Sequence, residues 1–529
     1  MKNNVIPQTG LKGLKENWQS DVVSGFLVFL LALPLSLGIA KASGFPASMG
    51  VLTAMIGGLF VSLFKVSPLT IKGPAAGLIT VCAGAIMEFG GGETGWHLAC
   101  GVIVVVALIQ ILFGFLKFGS LSDFFPHSAV HGMLAAIGLI IIAKQVPVLL
   151  GDAPEMYKGL GPIILFEDIP WFVEKLNPHI ALIGGISLLI MFLMPLIKNK
   201  IVKKIPAPMI VLLITVPLAA YLNFSSTQPD YALVSIGDFW GTVGFNADFS
   251  GFGTFTFWKY VLIFLFVNSL ESLLTVKAVD NLDPFKRKSD YNGDLKAVGA
   301  GNGLAALLGG LPMISEVVRS SANVGYGAKT KWANFFHGGF LLIAMLLMIP
   351  VIEMIPNAAL AAMLIYAGYR LAAPKEFIST YKVGTEQFAI FIITIAVTLL
   401  EDLLLGIAAG ILLKIIFHLI NGAHFNQLFK ANYDIEKKDD ELHINIHGVA
   451  VFSNLIGFKK VFEKHSSNSK IVLDFSDCVL IDHSFMEFIH KMQHDTEING
   501  KSMIANGMEN HKPLSAHPYA ARRLKKATH

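Results

Sequence analysis

The sequence predicts an all-α membrane protein of fourteen transmembrane segments, followed by a small α/β domain. Of 529 residues, 54% are hydrophobic and only 15% are charged, and the mean hydropathy is +0.61; soluble chains rarely have this composition. Long apolar runs extend from about residue 21 to residue 424, after which charged residues alternate with short apolar stretches. Glycine and proline interrupt two of the apolar runs.

The composition divides the chain into four predicted parts. Residues 1–20 form a polar, basic N-terminus without the apolar core of a secretory signal. Residues 21–424 form a transmembrane domain with two halves, about 21–222 and 256–424. Residues 435–510 form the α/β domain, with strands at 441–450 and 469–475 and helices at 455–465 and 484–496, and residues 511–529 form a basic tail.

Apolar stretches of roughly 20 residues, shorter where Gly and Pro interrupt them, predict seven spans in each half. The first seven are 22–42, 47–65, 73–88, 97–117, 127–150, 180–197 and 207–222. The second seven are 256–277, 294–309, 313–326, 333–352, 356–370, 385–400 and 403–421.

The charges of the loops agree with this count. If the N-terminus is cytoplasmic, the loops after even-numbered spans should be rich in Lys and Arg. They contain Lys65, Lys117, Lys198, Lys200, Lys203, Lys204, Lys286, Arg287, Lys288, Lys329, Lys331, Arg370, Lys375 and Lys382. The loop 223–255, assigned outside, has neither Lys nor Arg. Both termini are therefore predicted to be cytoplasmic, and the net charge of +4 does not indicate a nucleic-acid partner.

Seven spans in each half give the halves opposite orientations, which is an inverted repeat. The third span of each half is interrupted, in TIKGPAAGLIT (Thr70–Thr80) and GGLPMISEVVRSSANVGYGAKT (Gly309–Thr330). Each segment predicts an extended entry followed by a half-helix, a short helix that starts within the membrane. The free N–H groups and positive dipole end of such a helix suit an anion. Alternatively, Gly and Pro only kink buried helices.

Four ionisable residues fall where burial is costly, so that each needs a partner or a function: Lys72, Arg319, Glu271 and Glu316. The two cations and two carboxylates can neutralise one another, and an incoming anion would recruit the cations and the backbone N–H groups. The predicted substrate-binding residues are Lys72, Gly73, Ala75, Ala76, Ser315, Glu316, Val317, Val318, Arg319 and Ser320. Ala75 and Ala76 can offer only backbone N–H groups.

Two of these residues have structural alternatives. Arg319 has the guanidinium fork that suits oxyanions, but it can also pair with Glu316, three residues earlier. Glu271 lies one turn from Thr275, and this pair can hold sodium or carry a proton; alternatively, Glu271 bonds a neighbouring helix. Ser315 and Glu316 complete the predicted coupling-ion site, and no other metal or cofactor is expected.

The motifs of this chain resemble the SulP family, the sulfate permeases called solute carrier family 26 in animals. The matching segments are DVVSGFLVFLLALPLSLGIAKASGFP, GPAAG, FPHSAVHGMLAAIGLIIIAKQ, ESLLTVKAVD, GNGLAALLGGLP and RSSANVGYGAKT, and IVLDFSDCVLIDHSFMEFI resembles a STAS domain. The resemblance implies a core domain that carries substrate against a gate domain, Arg319 in the anion site, and Glu271 in cation coupling. It also implies a STAS module, in which a serine near Ser484 can be phosphorylated as a regulatory site. Because His483 and Phe485 flank this serine in place of the usual small residues, the alternative is a structural and regulatory module without phosphorylation.

The sequence departs from the family pattern at Glu316 and Val318, where small or hydroxyl residues are common, so the sulfate assignment does not transfer directly. His127 and His131 have the i, i+4 spacing of a metal pair, but without an evident third ligand we expect capping or packing roles. No disulfide or zinc site is indicated by Cys82, Cys100 and Cys478, which are far apart in sequence.

No nucleophile, base and oxyanion set indicates an enzyme. The expected function is secondary active transport of a small inorganic oxyanion, bicarbonate or sulfate, by sodium- or proton-coupled symport and alternating access. The alternatives are an uncoupled anion channel or exchanger and a dicarboxylate symporter. The STAS-like segment and Arg319 argue against a nucleobase permease. The expected location is a bacterial inner membrane, with a homodimer formed through the STAS and membrane domains.

Overall fold

The structure is a computed structural model that describes residues 6–119, 126–153, 156–157, 160–198, 205–401, 403–438, 441–465, 470–498 and 502–525. Of the features predicted above, Lys200, Lys203 and Lys204 of the loop after the sixth span lie outside the described residues, as do the first five and last four residues of the chain.

The chain divides into two compact units. One contains Met1–Gly119 and Ile137–Leu371, and the other contains Ser120–Ala136 and Ala372–His529. The boundary passes through one helix, His127–Leu150, whose first part up to Ala136 belongs to the second unit.

The first unit is almost entirely helical. Its helices are α1 (Gly10–Ala42), α2 (Ala47–Leu59), α3 (Ile79–Glu88), α4 (Gly92–Phe115), α5 (His127–Leu150, from Ile137 onward), α6 (Pro162–Glu167), α7 (Ile169–Glu174), α8 (Pro178–Leu193), α9 (Ala207–Tyr221), α10 (Phe224–Thr227), α11 (Phe239–Thr242), α12 (Phe255–Leu282), α13 (Tyr291–Leu307), α14 (Val317–Gly325), α15 (Trp332–Leu347), α16 (Ile349–Ile352) and α17 (Asn357–Leu371). Its two strands, β1 (Ile71–Pro74) and β2 (Met313–Glu316), pair with each other.

A helix, or a strand followed by a helix, lies at each of the fourteen predicted span positions, counting α19 (Thr385–Leu400) and α20 (Leu403–Ile420) of the second unit. Helices α1, α4, α5 and α12, and α8 with the turn that follows it, are long and apolar enough to cross a membrane. Shorter apolar helices include α9, α15, α19 and α20. The count of fourteen crossings and the inverted relation of the two halves stay predictions.

Helix α1 begins earlier than predicted, at Gly10 instead of near residue 22. Its polar first turns are anchored by Asp21, which is fully buried. The Asp21 carboxylate accepts hydrogen bonds from the backbone N–H of Lys329 (2.8 Å) and from the N–H and hydroxyl of Thr330 (3.1 and 2.5 Å). This contact holds α1 against the turn that precedes α15, so the charged N-terminal residues extend the helix instead of ending it.

Helix packing in the first unit depends on small residues. Helix α1 packs against α15, and α4 packs against α13. Where α2 crosses α15, a Cβ atom built on Gly58 would lie 2.5 Å from the Cα of Gly338. Only glycine allows two backbones to approach this closely. The crossing brings α15 next to the segment that follows α2, which is β1.

The second unit contains the start of α5, the polar helix α18 (Pro374–Val383), the two apolar helices α19 and α20, and an α/β region. Its helices are α18, α19, α20, α21 (Leu455–Lys464) and α22 (His483–Ile498). Its strands are β3 (Tyr433–Lys438), β4 (Glu441–Ile446), β5 (Gly448–Ala450), β6 (Lys470–Asp474), β7 (Cys478–Ile481), β8 (Ser502–Asn506), β9 (His511–Pro513) and β10 (Arg522–Leu524).

These strands form two four-stranded sheets, in the orders β3-β4-β6-β8 and β5-β7-β10-β9. Phenylalanines at 458, 475 and 485 fill the core beneath them. The strands and helices predicted within 441–496 are present. The interpretation of residues 511–529 as a tail outside the domain is wrong for its described part, because β10 pairs with both β7 and β9. Strands of only three residues that carry basic side chains, His511–Pro513 and Arg522–Leu524, give too short a pattern to be recognised in the sequence.

Candidate functional site

The two interrupted segments meet as one short antiparallel ribbon. Lys72 of β1 lies opposite Ser315 of β2, and Gly73 lies opposite Ile314. Strand β1 leads through a 3-10 turn at Ala76–Leu78 into α3, and β2 leads directly into α14. The two half-helices therefore begin at opposite ends of a ribbon only four residue pairs long.

The start of the first half-helix leaves backbone N–H groups without a partner inside its own turn. Ala75 is extended and buried, and the turn is closed by the N–H of Leu78, which donates to the Ala75 carbonyl (3.1 Å). Ala76 is half-buried. The N–H groups before Leu78 have no partner within the turn, which is the usual state of a helix N-terminus.

The start of the second half-helix is already capped by the chain itself. Glu316 is the N-cap residue of α14, and its Oε2 accepts a hydrogen bond from the backbone N–H of Arg319 (2.6 Å). The Glu316 carboxylate therefore occupies a position where an external anion would otherwise bind. Val317 is exposed and Val318 is half-buried, and both contribute only backbone groups to this end.

Lys72 is completely buried, and its ammonium group has three close partners. Nζ donates to Asp294 Oδ1 (2.7 Å), Thr70 Oγ1 (2.7 Å) and Ser315 Oγ (2.6 Å). Asp294, on α13, is also fully buried, and its Oδ2 accepts from the Ser315 hydroxyl (3.1 Å). All three ammonium protons have an acceptor.

The expectation that Lys72 would be neutralised by Glu271 or Glu316 is therefore wrong. Side chains alternate between the two faces of a strand, and the face that carries Lys72 and Ser315 is directed toward α12 and α13. Asp294 was missed by sequence reasoning, although a carboxylate at the start of the ninth predicted span was a usable signal.

Arg319 lies across the opposite face of the ribbon. A Cβ atom built on Gly73 would lie 2.5 Å from Arg319 Nη1 and 3.6 Å from the Cβ of Ala54 on α2. Arg319 is fully buried, and its Nε, Nη1 and Nη2 have no hydrogen-bond partner in the described part of the chain. The expected alternative of an ion pair with Glu316 is not formed, because the Glu316 carboxylate bonds the backbone of Arg319 instead of its guanidinium.

His337 is a second buried group with unused polar atoms, and sequence reasoning missed it. It lies on α15 three residues after Asn334, whose Oδ1 accepts from the backbone N–H of Lys72 (3.2 Å). Both ring nitrogens of His337 are buried without a hydrogen-bond partner among the described residues, and the charge of Arg319 acts on the ring. A lone histidine in an apolar helix gives no sequence signal of this kind.

Glu271 and Thr275 lie one turn apart on α12, and both are buried. A Cβ built on Gly77 would lie 2.6 Å from the carboxyl carbon of Glu271, so this carboxylate rests against the first turn of the first half-helix. Glu271 Oε1 has no hydrogen-bond partner among the described residues. At this oxygen, therefore, Glu271 does not form the hydrogen bond to a neighbouring helix that the alternative interpretation requires.

The remaining predicted hydroxyls have structural partners. Ser320 donates to the Glu316 carbonyl (2.5 Å) and accepts from the backbone N–H of Ile71 (2.9 Å). The N–H of Ser315 donates to Ser272 of α12 (3.1 Å). Ser315 and Ser320 therefore hold the ribbon against α12 and α14, and a ligand would have to compete with these bonds.

The predicted regulatory serine lies in the second unit beside a buried charge cluster. Ser484 Oγ accepts from Lys414 Nζ (3.3 Å), which also pairs with Asp482 (3.0 Å). Burial raises the pKa of Asp482, but the charges of Lys414 and His418 outweigh burial and hold it below its ordinary value. The Asp482 Oδ1 also accepts from the N–H of Phe485 (2.8 Å), which caps α22.

Comparison with known proteins assigns this architecture. A family model described as the sulfate permease family matches residues 18–394. The chain belongs to the sulfate permease family. The resemblance found in the sequence motifs is confirmed.

Relatives and solved structures of the family agree. YvdB of Bacillus subtilis is 28% identical over 409 residues, covering 76% of this chain and 74% of YvdB. The bicarbonate transporter BicA of Picosynechococcus is 25% identical over 403 residues, covering 75% of this chain and 69% of BicA. The structure is similar to the transmembrane domain of a cyanobacterial BicA (TM-score 0.64, 22% identity, 75% of this chain and 97% of that chain) and to SLC26A9 (TM-score 0.66, 15% identity, 93% and 84%).

The chain is thus a multi-pass membrane protein of an anion-transporting family, with the helical fold of SLC26 transporters and a small C-terminal α/β region. It is a transporter and not an enzyme, as the sequence predicted.

Proposed function

We propose that this family member carries a small inorganic oxyanion, bicarbonate or sulfate, together with sodium or a proton. The observation that carries the proposal is the Arg319 guanidinium, which is fully buried at the ribbon and has no hydrogen-bond partner among the described residues. A buried cation without a partner is costly. A bound oxyanion would satisfy two of its donors at once.

The anion is proposed to lie between Arg319 and His337, near the half-helix starts. Both side chains are buried and have unused nitrogens, and they interact electrostatically. Neutral His337 can donate one N–H to an oxyanion. Lys72 contributes indirectly, because Asp294 neutralises it and their pair holds the ribbon in place.

The charges around the ribbon favour symport over uncoupled movement. Two buried cations, Lys72 and Arg319, face three carboxylates, Asp294, Glu271 and Glu316. With all five groups ionised, their net charge is negative, and an incoming anion makes it more negative unless a cation or a proton enters with the anion. Glu271, with its unpaired Oε1 and with Thr275 one turn away, is the proposed place for that cation, because sodium and protons both bind carboxylate oxygens.

The proposed substrate class has two supports. The matched family is named for sulfate, and a relative with 25% identity is named for bicarbonate. Transport by alternating access, a location in a bacterial inner membrane with cytoplasmic termini, and a homodimer remain proposals that rest on the family resemblance and on the loop charges.

The test is uptake of labelled sulfate, bicarbonate and fumarate by purified protein in liposomes, with and without sodium or pH gradients. We expect saturable, gradient-dependent uptake of one inorganic anion, and uptake that ignores both gradients would refute symport. Arg319→Ala should lower anion affinity at least about 100-fold, since it removes two charge-assisted hydrogen bonds that contribute roughly 1.5–3 kcal/mol each. Arg370→Ala, an exposed arginine at the end of α17, is the matched control. Equal affinity in the two variants would exclude Arg319 from the site.

A further inference from the structure

Two helices of the second unit each present a pair of polar side chains one turn apart. His127 and His131 lie at the start of α5, and His483 and Glu487 lie at the start of α22. Residues four apart share one face of a helix. The rings of His127 and His131 stack with centroids 4.1 Å apart, and the ring of His483 meets that of His127 edge-on at 6.1 Å.

Three of these side chains converge on one point. One ligand atom from each of His127, His483 and Glu487 lies within 4.8 Å of the other two. In a tetrahedral zinc site with bonds of about 2.0–2.1 Å, ligand atoms are about 3.4 Å apart. Small rotations of the side chains, without movement of the helices, would close this difference. Glu487 is half-buried and His127 is exposed, so a hydrated ion can reach the cluster.

A hydrogen bond already orients the imidazole of His483 as metal ligands are usually oriented. His483 is buried, and its Nδ1 lies 2.7 Å from the carbonyl oxygen of Tyr519. A carbonyl oxygen can only accept, so Nδ1 carries the proton and Nε2 carries the lone pair. Backbone carbonyls and carboxylates are the usual outer partners of zinc-binding histidines.

We propose that His127, His483 and Glu487 bind a divalent transition metal of the zinc type, with a fourth position open to water. Two imidazoles and one carboxylate suit zinc, cobalt or nickel better than magnesium or calcium, which prefer all-oxygen sites. The metal would link the first turn of α5 directly to the first turn of α22. That link would join the beginning of a predicted membrane span to the C-terminal α/β region within the second unit.

Sequence spacing alone pairs His127 with His131 and gives this pair no third ligand. His483 and Glu487 follow more than 350 residues later, and no spacing rule connects them with α5. In the structure His483 and Glu487 lie beside His127, and the proposed site uses them in place of His131, for which the expected capping or packing role stays a prediction.

The test uses the full chain purified in detergent without a polyhistidine tag. After dialysis against micromolar Zn²⁺, we expect about one equivalent of zinc per chain by elemental analysis, and Co²⁺ should give the intense visible absorption of a four-coordinate ion. His483→Gln should weaken zinc binding at least about 100-fold, since loss of an outer partner alone costs 10–100-fold. His490→Gln, an exposed histidine on the same helix, should leave it unchanged.

Glu487→Gln is the second variant, because it conserves shape and keeps the buried His483, so it should fold even if His483→Gln does not. When Zn²⁺ is added to the wild type, hydrogen exchange of the backbone amides in the first turns of α5 and α22 should slow in both helices. In Glu487→Gln, added Zn²⁺ should not slow this exchange. Wild-type protein that binds no zinc, or a Co²⁺ spectrum that is the same in wild type and Glu487→Gln, would overturn the proposal.

Discussion

Two variants, Gly73→Ala and Gly77→Ala, should separate anion binding from cation coupling, because each adds one methyl group beside a different proposed site. The Cβ of Gly73→Ala would lie 2.5 Å from Arg319 Nη1. An ordinary contact between these atoms needs about 3.4 Å or more. The new methyl group cannot move away, because the backbone of β1 is held by its pairing with β2. The guanidinium of Arg319 must therefore move by about 1 Å. Misplacement of a binding group by 1 Å can cost about 100-fold.

We therefore expect Gly73→Ala to lower anion affinity by roughly 10- to 100-fold while the protein still folds. In Gly77→Ala the new methyl group would press on the Glu271 carboxylate. That variant should lose dependence on the sodium or pH gradient and retain anion binding.

The assay is anion binding by calorimetry together with gradient-driven uptake in liposomes. Gly339→Ala on α15, where a built Cβ meets nothing within 4 Å, is the matched control. The steric reasoning fails if Gly73→Ala binds anion as wild type does. It also fails if Gly77→Ala weakens anion binding as strongly as it weakens coupling.

Three further predictions concern buried polar groups. Asp294→Asn should destabilise the protein by about 3–5 kcal/mol, because it leaves the Lys72 ammonium buried without its counter-ion. Thermal melting in detergent should show that the double variant with Lys72→Met recovers most of this stability. If the losses of the two single variants add in the double variant, the pairing of Lys72 with Asp294 is contradicted. His337→Phe should weaken anion binding about tenfold, the value of one hydrogen bond, without lowering the melting temperature; unchanged affinity would remove His337 from the proposed site. The pKa of Asp482 is depressed, so its contribution to stability is full above about pH 4 and is lost as the pH falls below that value. The difference in melting temperature between the wild type and Asp482→Asn should therefore stay constant from pH 8 to about pH 5. A difference that narrows within that range would refute the depressed pKa of Asp482.

Local pattern was enough to locate the elements that form the site. Gly and Pro within apolar runs located both interrupted segments, because such interruptions free backbone groups that a membrane protein must satisfy elsewhere. The half-helices begin later than the predicted spans, which start at residues 73 and 313, because Ile71–Pro74 and Met313–Glu316 first pair as strands. Arg319 and Glu271 could be singled out because a charge in an apolar helix needs a reason. The helix positions were also predictable, since apolar length is a local property.

The pairing of charges could not be predicted, because it depends on which side of the ribbon each side chain faces. Asp294 pairs with Lys72 across 222 residues, and Glu316 bonds a backbone N–H instead of the nearest cation. His337 carries no signal in its own helix, and β10 was concealed by basic residues. Each of these features arises from long-range packing, on which spacing gives no information.

The ribbon of β1 and β2 has a consequence for how this part of the chain can change. Neighbouring residues of a strand face opposite sides, so the insertion or deletion of one residue turns the side chains of that strand to the opposite face of the ribbon. A change of this kind in β1, before Lys72, shows the effect. The ammonium of Lys72 would then be driven toward the guanidinium of Arg319, and the space kept open by Gly73 would be turned toward Asp294. The two four-residue strands therefore have to keep their length if Lys72 is to meet Asp294 and Gly73 is to leave room for Arg319.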